Sequence, residues 1–548
     1  MTRSIIDPVT RIEGHLRIEM EVEQGKVANA WVSGGCFRGM ELVLQQKTPR
    51  DAAEIVQRVC GVCPVSHAHA SSFAAEKALG ITIPNNARII RNIVEGAQFL
   101  HSNLLWFYNL AGLDYINPLN ALKANVADAY DLAVQAGTSS NSDLAALKAR
   151  LANFAENKQL SIFSGNWFDA DGGKAYKLSP EADLLGTAHY LECLQMQAKA
   201  SEIAALVGGK MPHIMTAVPG GSAFVPTEEK LDDLYALAHE LHEWIKTTVV
   251  QDTVLIASHY KEAFEWGKGC GRYVAWGVFN RPSMEMQDRY LPSGVLKEGF
   301  ELHEVEESLI SEYVGSSWYK GSETYQSPYF ETNPEYTDYS TDDRYTWVKA
   351  PSYDGQCMEA TSLSRLLVAY KRGVPFVVEH VDALLQSLGA PGKLHVLQST
   401  MGRTGARQIE TLYVSYLMLD WIGELMEAIK GGDSKYFKPE HAQDGAGTGF
   451  WEAPRGALYH SEKVVGGHIA GYQIIIPSTW NLAPRNQQGE LGPLEQSLIG
   501  VPVEDVEKPI NALRTVHSYD PCTACAVHVT EPASGKHFEM ISSPWGVR

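Results

Sequence analysis

The chain has 548 residues, 45% of them hydrophobic and 20% charged, with a formal net charge of −19. That is enough apolar material for a large core, and the negative balance with no basic stripe excludes nucleic acid, whose phosphates it would repel. No apolar run approaches the roughly 20 residues that span a bilayer, and Met1-Thr-Arg-Ser-Ile-Ile-Asp-Pro8 lacks the apolar core of a secretion signal, so no anchor or address is expected in the chain itself.

Residues 16–22 alternate strictly, Leu16, Ile18, Met20 and Val22 against Arg17, Glu19 and Glu21, and Gln24-Gly25 turns the chain back into 27–32, which predicts a half-buried hairpin. Thr48-Pro49-Arg50-Asp51 supplies a cap, a first-position proline and a first-turn acid, predicting a helix that runs into Cys60. Gly61 and Pro64 are expected to break it before a second helix from Ser66 to Leu79, stopped by Gly80. Ile90, Ile93, Val94, Ala97, Leu100 and Leu104 recur at helical spacing and predict a long helix from Asn86 to Leu110, with similar patterns over 184–206, 229–263, 361–388 and 393–430. Residues 268–360 crowd Tyr, Trp, Gly, Ser and Pro together and read as an irregular covering, with a partner interface as the second reading. From Gly456 to Ile476 a loose alternation predicts strands that present Arg455 and Ser478 at neighbouring ends. Gly208-Gly209-Lys210-Met211 has neither the spacing nor the Ser/Thr of a phosphate loop and reads as a turn. The expected fold class is α+β, mainly helical, with a large interwoven helical core and small β-sheets near both termini.

Eight cysteines are present. Four form two Cys-x-x-Cys pairs near opposite ends, Cys60-Gly-Val-Cys63 and Cys522-Thr-Ala-Cys525, each followed by a histidine, His67 and His528. One such pair is compatible with structural zinc, an iron–sulfur ligand pair or a redox motif. Zinc modules gather their ligands within a few tens of residues because the metal replaces a core they lack. This chain has no such need, and four thiolates from its two ends suggest one fold closing around a soft metal. The single cysteines Cys36, Cys193, Cys270 and Cys357 read as small apolar side chains, not a disulfide framework, with Cys36 flagged for its place beside Arg38 and Glu41.

The blocks around the pairs, Arg58-Val-Cys60-Gly-Val-Cys63-Pro-Val-Ser-His67 and Asp520-Pro-Cys522-Thr-Ala-Cys525-Ala-Val-His528, resemble the large subunit of nickel–iron hydrogenases. Arg11-Ile-Glu13-Gly-His15, Phe37-Arg38-Gly39-Met-Glu41, Glu452-Ala-Pro454-Arg455-Gly456 and Pro477-Ser478-Thr-Trp480-Asn481 follow in the family's order. The resemblance implies a single large-subunit domain over 1–528 and a C-terminal extension, 529–548, removed after the histidine by a maturation endopeptidase once nickel-insertion proteins have acted. Cys60 and Cys522 would be terminal nickel ligands, and Cys63 and Cys525 would bridge nickel to an iron that carries one CO and two cyanides. Arg455 and Ser478 would hydrogen-bond the cyanides, Pro454, Ile476 and Leu458 would wall the pocket, and His67 would hydrogen-bond a bridging thiolate.

Heterolytic cleavage of dihydrogen needs a hydride acceptor and a base. Cys522 relaying to Glu13 is the favoured base, Arg455 the rival, with Asp114 and Asp520 as electrostatic support. Glu41, the Ile474 carbonyl and His528 would hold magnesium. The implied partners are an iron–sulfur small subunit that carries the clusters and an export signal, and a membrane electron-transfer subunit. The implied location is the membrane, through those partners, on the periplasmic or outer face. Hydrogen oxidation is the expected activity, a hydrogen-sensing subunit the alternative, and a redox-inert relative of complex I is disfavoured by the retained cysteines.

Overall fold

The computed structural model describes residues 2–138, 140–160, 166–326, 333–340, 343–439 and 443–523, so Cys525, His528 and the tail 529–548 lie outside the described residues. Long helices fill the middle: Asn85–Leu104, Pro180–Gly208, Glu228–Trp244 and Thr400–Lys430. The last three start at hydroxyl caps, where Ser179, Thr227 and Ser399 accept from the backbone N–H of Ala182, Lys230 and Gly402. Their apolar faces merge into one core that also contains Cys60, Cys63 and Cys522.

Several helices depart from the periodicity. The α-helix expected over 86–110 ends at Leu104 and widens into a π turn over Leu105–Ala111. There the Arg11 guanidinium takes the Leu110 carbonyl and the Trp106 ring N–H donates to the carbonyl of His517. The helix expected over 361–388 is two, Ser362–Lys371 and Pro375–Ser387, parted by Gly373 at φ 75° and by a proline that has no N–H to give. Pro64, expected to break a helix, instead opens one, Pro64–Ala78, from its first position, where the missing N–H costs nothing. Gly209 ends the Pro180–Gly208 helix at φ 80°, as a turn.

The predicted hairpin is Leu16–Glu23 paired with Lys26–Gly34, and Thr2–Ile6 adds a third antiparallel strand. This sheet buries Leu16, Ile18, Met20 and Val32 against Leu482, Leu494, Leu498, Leu513 and Val516, so both ends of the chain share one core. Near the other end, Gly445–Ala453, Gly456–Val465 and His468–Ile475 form an antiparallel meander.

Small sheets are not confined to the ends. Within 268–360, Tyr273–Ala275, Gly294–Lys297 and Glu301–His303 form one, and Ile310–Tyr313, Thr324–Gln326 and Ala350–Tyr353 another. Strands of three or four residues are too short to show an alternation. Trp318, Tyr319 and Tyr345 are buried, and Trp347 stacks on Phe37 at 4.5 Å, which makes much of the aromatic segment a covering of the N-terminal region. Among the described residues no helix is long and apolar enough to cross a membrane.

Candidate active site

The first cysteine pair and Arg455 are brought together by a helix and a strand in unusually close contact. A Cβ built on Gly445, Gly447 or Gly449 would lie 2.1, 2.1 or 1.9 Å from the carbonyl oxygens of Ala78, Ala74 and Ala70 respectively. The strand therefore runs with its backbone against the backbone of Pro64–Ala78, and only glycine at alternate positions permits it. At the near end of that helix Cys63 is the N-cap. The strand meanwhile ends at Ala453, and Pro454-Arg455 forms the two-residue tip of the hairpin into Gly456. Gly456 sits at φ 138°, where a Cβ would strike the Ala360 carbonyl at 1.7 Å. Arg365 fastens the tip: it donates to both Glu410 oxygens at 2.6 and 2.8 Å, to Glu452 at 2.7 Å, and to the carbonyls of Ala453 and Pro454 at 3.0 and 2.7 Å.

Cys60 and Cys63 are both buried. The Cys60 sulfur accepts from the N–H of Val62 and of Cys63, each at 3.3 Å, and Arg38 donates to the carbonyls of Arg58 and Val59, fixing the backbone into Cys60. Cys522 arrives from the other end of the chain. It bridges Glu13 in parallel, with Thr523 N–H on the Glu13 carbonyl at 2.8 Å, and its own N–H donates to Ser478 Oγ at 3.1 Å. Its thiol reaches Glu13 Oε2 at 3.1 Å and lies 3.5 Å from the Cys60 sulfur. Two sulfurs 3.5 Å apart with metal–sulfur bonds of about 2.3 Å would subtend roughly 100° at a shared ion, a normal angle between thiolate ligands.

The charge around the sulfurs is organised by two buried arginines on one carboxylate. Arg455 donates to Asp520 Oδ1 and to the Asp520 carbonyl, both at 3.1 Å, and Arg407 donates to Asp520 Oδ2 at 2.6 Å. Burial opposes the Arg455 charge, yet Asp520, then Cys522, Cys63 and Cys60, hold its pKa above the ordinary arginine range. Its Nη1 is buried and has no partner among the described residues. His67 shares a 3.0 Å hydrogen bond through Nδ1 with His460, and its buried Nε2 likewise lacks a partner among the described residues. Burial first, then Arg38, lowers the His67 pKa to about 4 against the opposing pull of Cys60, so the ring is neutral.

Three buried thiols, an unpartnered Arg455 N–H and an unpartnered His67 ring nitrogen fit a soft metal with further ligands, and a nickel site is consistent with this donor set. Leu458, Ile474 and Ile476 belong to the same buried core as the cysteines, and Pro454 is buried at the hairpin tip.

Asp114 and Glu41 are each held by a neighbouring cation. Asp114 accepts hydrogen bonds from Arg11 at 2.5 Å and from His517 at 2.6 Å. Burial opposes that charge, but Arg11 and His517 hold its pKa down to about 2. The π turn carries Asp114 beside the helix that ends at Ser518, where the His517 Nε2–H also donates to the Thr10 carbonyl at 2.9 Å. Glu41 accepts from the Ile474 N–H at 2.9 Å and pairs with Lys349 at 3.5 Å, while Lys349 also faces Glu312 at 3.6 Å. Gln473 donates to Glu312 at 2.7 Å. Sequence reasoning missed Arg365, Arg407, Glu410, Lys349, Glu312 and His460. The available signal was a set of charges on a helical face that is otherwise apolar, Arg403, Arg407 and Glu410, all buried.

The profile of the family described as "Nickel-dependent hydrogenase" matches residues 38–528, and one described as "HoxL-like" matches 4–33. The Hydrogenase-2 large chain of Escherichia coli is 37% identical, over 96% of this chain and 97% of its own. The uptake hydrogenase large subunit of Afipia carboxidovorans is 36% identical, over 96% and 95%. Among solved structures, the Ni-Fe-Se hydrogenase of Desulfovibrio vulgaris Hildenborough in the reduced state superposes with a TM-score of 0.80 at 34% identity, over 96% of this chain and 100% of that one. The chain belongs to the nickel-dependent hydrogenases and is the catalytic large subunit of such an enzyme.

Proposed function

We propose that Cys60, Cys63, Cys522 and Cys525 hold a nickel–iron pair and that protons leave it through the Cys522 sulfur and Glu13. When bound, the metal pair supplies the electrophile that polarises dihydrogen and accepts its electrons. The protein's part is a dry pocket, fixed donors and a proton exit. The observation that carries the reading is the 3.1 Å contact between the Cys522 thiol and Glu13 Oε2, a distance at which a proton passes between the two groups without an intervening water. Arg455 is disfavoured as the base because Asp520 and the thiols stabilise its charged form. Its buried Nη1 supports a role as donor to one cyanide, and Ser478, whose oxygen already accepts the Cys522 N–H, keeps its hydroxyl proton for the other. His67, neutral and held by His460, would donate to a bridging thiolate.

Magnesium at Glu41, the Ile474 carbonyl and His528 is supported by the contact of Glu41 with the Ile474 backbone and by a second carboxylate, Glu312, across Lys349. Residues 1–528 would form the mature domain and 529–548 the extension removed in maturation. Electrons would pass to a small subunit carrying iron–sulfur clusters, with a membrane subunit beyond it on the periplasmic or outer face. The physiological direction is hydrogen oxidation, in keeping with relatives named uptake hydrogenases.

The test is Glu13→Gln in the complex with the small subunit. Exchange between D2 and solvent protons should fall by orders of magnitude with nickel content unchanged. Wild-type exchange in that variant would remove Glu13 from the path, and zinc in place of nickel in the wild type would return the cysteines to a structural role.

A further inference from the structure

Two of the single cysteines, Cys270 and Cys357, lie together away from the metal-binding cysteines. Their segments are joined by a parallel bridge between Tyr273 and Glu359, with Glu359 N–H on the Arg272 carbonyl and Val274 N–H on the Glu359 carbonyl, both at 2.9 Å. Arg272 sits between the sulfur-bearing residues: the Cys270 thiol donates to its carbonyl at 3.3 Å, and its Nε donates to the Cys357 carbonyl at 3.0 Å. Its Nη2 pairs with Glu490, which also accepts the Cys357 N–H at 3.3 Å. The two side chains are close enough for Cys270 to act on the ionisation of the Cys357 thiol, and both are free thiols, Cys357 buried and Cys270 partly exposed.

We propose that Cys270 and Cys357 are a reversible dithiol–disulfide pair, a modification site separate from the hydrogen-splitting centre. The co-reactant is a low-molecular-weight disulfide such as oxidised glutathione. Cys270, the partly exposed residue of the pair, loses its proton to water and attacks one sulfur of the small disulfide; the S–S bond breaks, and the other sulfur leaves as a thiolate and is protonated. Cys357 then loses its proton and attacks the Cys270 sulfur, breaking the mixed disulfide and releasing the second small thiol. The protein gives up two electrons and two protons, and the small disulfide becomes two thiols. Burial, and then Cys270, pushes the Cys357 thiol well above its usual range, which leaves the first attack to Cys270, and the Arg272 guanidinium works in the opposite direction when Cys357 ionises.

The bond would have a structural reach. Two residues beyond Cys357, Glu359 takes Arg403 through both oxygens, at 2.9 and 2.8 Å, and accepts Tyr519 OH at 3.2 Å. Tyr519 directly precedes Asp520. Closing the pair therefore ties down the segment whose Glu359 holds Arg403 and Tyr519.

The experiment uses the full chain in complex with its small subunit. It is treated with oxidised glutathione, unfolded in an alkylating reagent, digested with trypsin and mapped without reduction. A linked species of Gly269–Arg272 with Ala350–Arg365, absent after dithiothreitol and absent in Cys357→Ala, is expected. Recovery of both peptides alkylated, or of a glutathione adduct on Cys270 beside a free Cys357, would overturn the proposal. In Cys357→Ala the adduct on Cys270 should accumulate, because no second thiol remains to displace it.

Discussion

Gly449→Ala tests whether the backbone contact between the Gly445–Ala453 strand and the Pro64–Ala78 helix sets the geometry of the site. The new Cβ would sit 1.9 Å from the Ala70 carbonyl oxygen, and ordinary contact begins at 3.4 Å, so strand and helix must part by 1.5 Å. Neither neighbour is a flexible side chain end, and the Ala70 carbonyl carbon and Ala74 N–H stand at 2.9 and 3.0 Å behind it. Overpacking of this kind costs about 1–3 kcal/mol. The displacement matters more for function, because Cys63 is carried by the helix and Arg455 by the strand, and a misplacement of about 1 Å at a reacting centre costs on the order of a hundredfold in rate. Gly423→Ala is the matched control: it lies in the Thr400–Lys430 helix with nothing within 4 Å of the added carbon, so it should stabilise by about 0.5–1 kcal/mol. Thermal unfolding and hydrogen-dependent dye reduction of the purified complex read both. A Gly449→Ala enzyme that melts and turns over like wild type would show that the contact does not position the site.

Arg407→Met keeps the side chain's bulk over Trp106, whose ring centroid lies 4.5 Å from the guanidinium, but leaves Asp520 with Arg455 alone. Removing one partner of a buried pair costs about 3–5 kcal/mol, and the unfolding temperature should fall accordingly, with slower turnover at full nickel content; unchanged turnover would detach Arg407 from the site. His101 has a pKa lowered to about 4, by burial and then by Arg455. Its unfolded form binds a proton first, so its contribution is complete above about pH 6.5 and is lost as pH falls towards 4, by about 3 kcal/mol. Denaturant titrations across that window should show a shallower acid loss in His101→Gln, and parallel curves would contradict the assignment. Cys60→Ser removes a thiol 3.5 Å from the Cys522 sulfur, and plasma mass spectrometry should find the nickel gone; a full complement of nickel would exclude Cys60 as a ligand.

The sequence exposed the parts of the site that chemistry makes conspicuous. Cys60, Cys63 and Cys522 stand in short spaced motifs, and the Leu16–Glu23 strand and the long helices announce themselves by period. What stayed hidden was set by tertiary contact. Nothing in the residues around Asp114 tells that Arg11, far earlier in the chain, donates to it; the π turn after Leu104 brings the two together. Arg365, Arg407 and Glu410 sit at positions whose period gives a helix, and their charge marks them without naming the partner, Glu410 for Arg365 and Asp520 for Arg407. The mid-chain sheets eluded detection because three or four residues hold too few alternations to stand out from chance.

The bridge between Glu13 and Cys522 makes the site a keystone. Residues 509 positions apart meet there, and the same short segment brings a thiol against Cys60, an N–H to Ser478 and a carboxylate between Arg407 and Arg455. None of these contacts can be withdrawn singly, because one piece of backbone carries them all. Loosening the segment would expose the cysteines, unpair two buried guanidiniums and free the N-terminal end in one event, so loss of metal, loss of proton transfer and local opening should share a single transition.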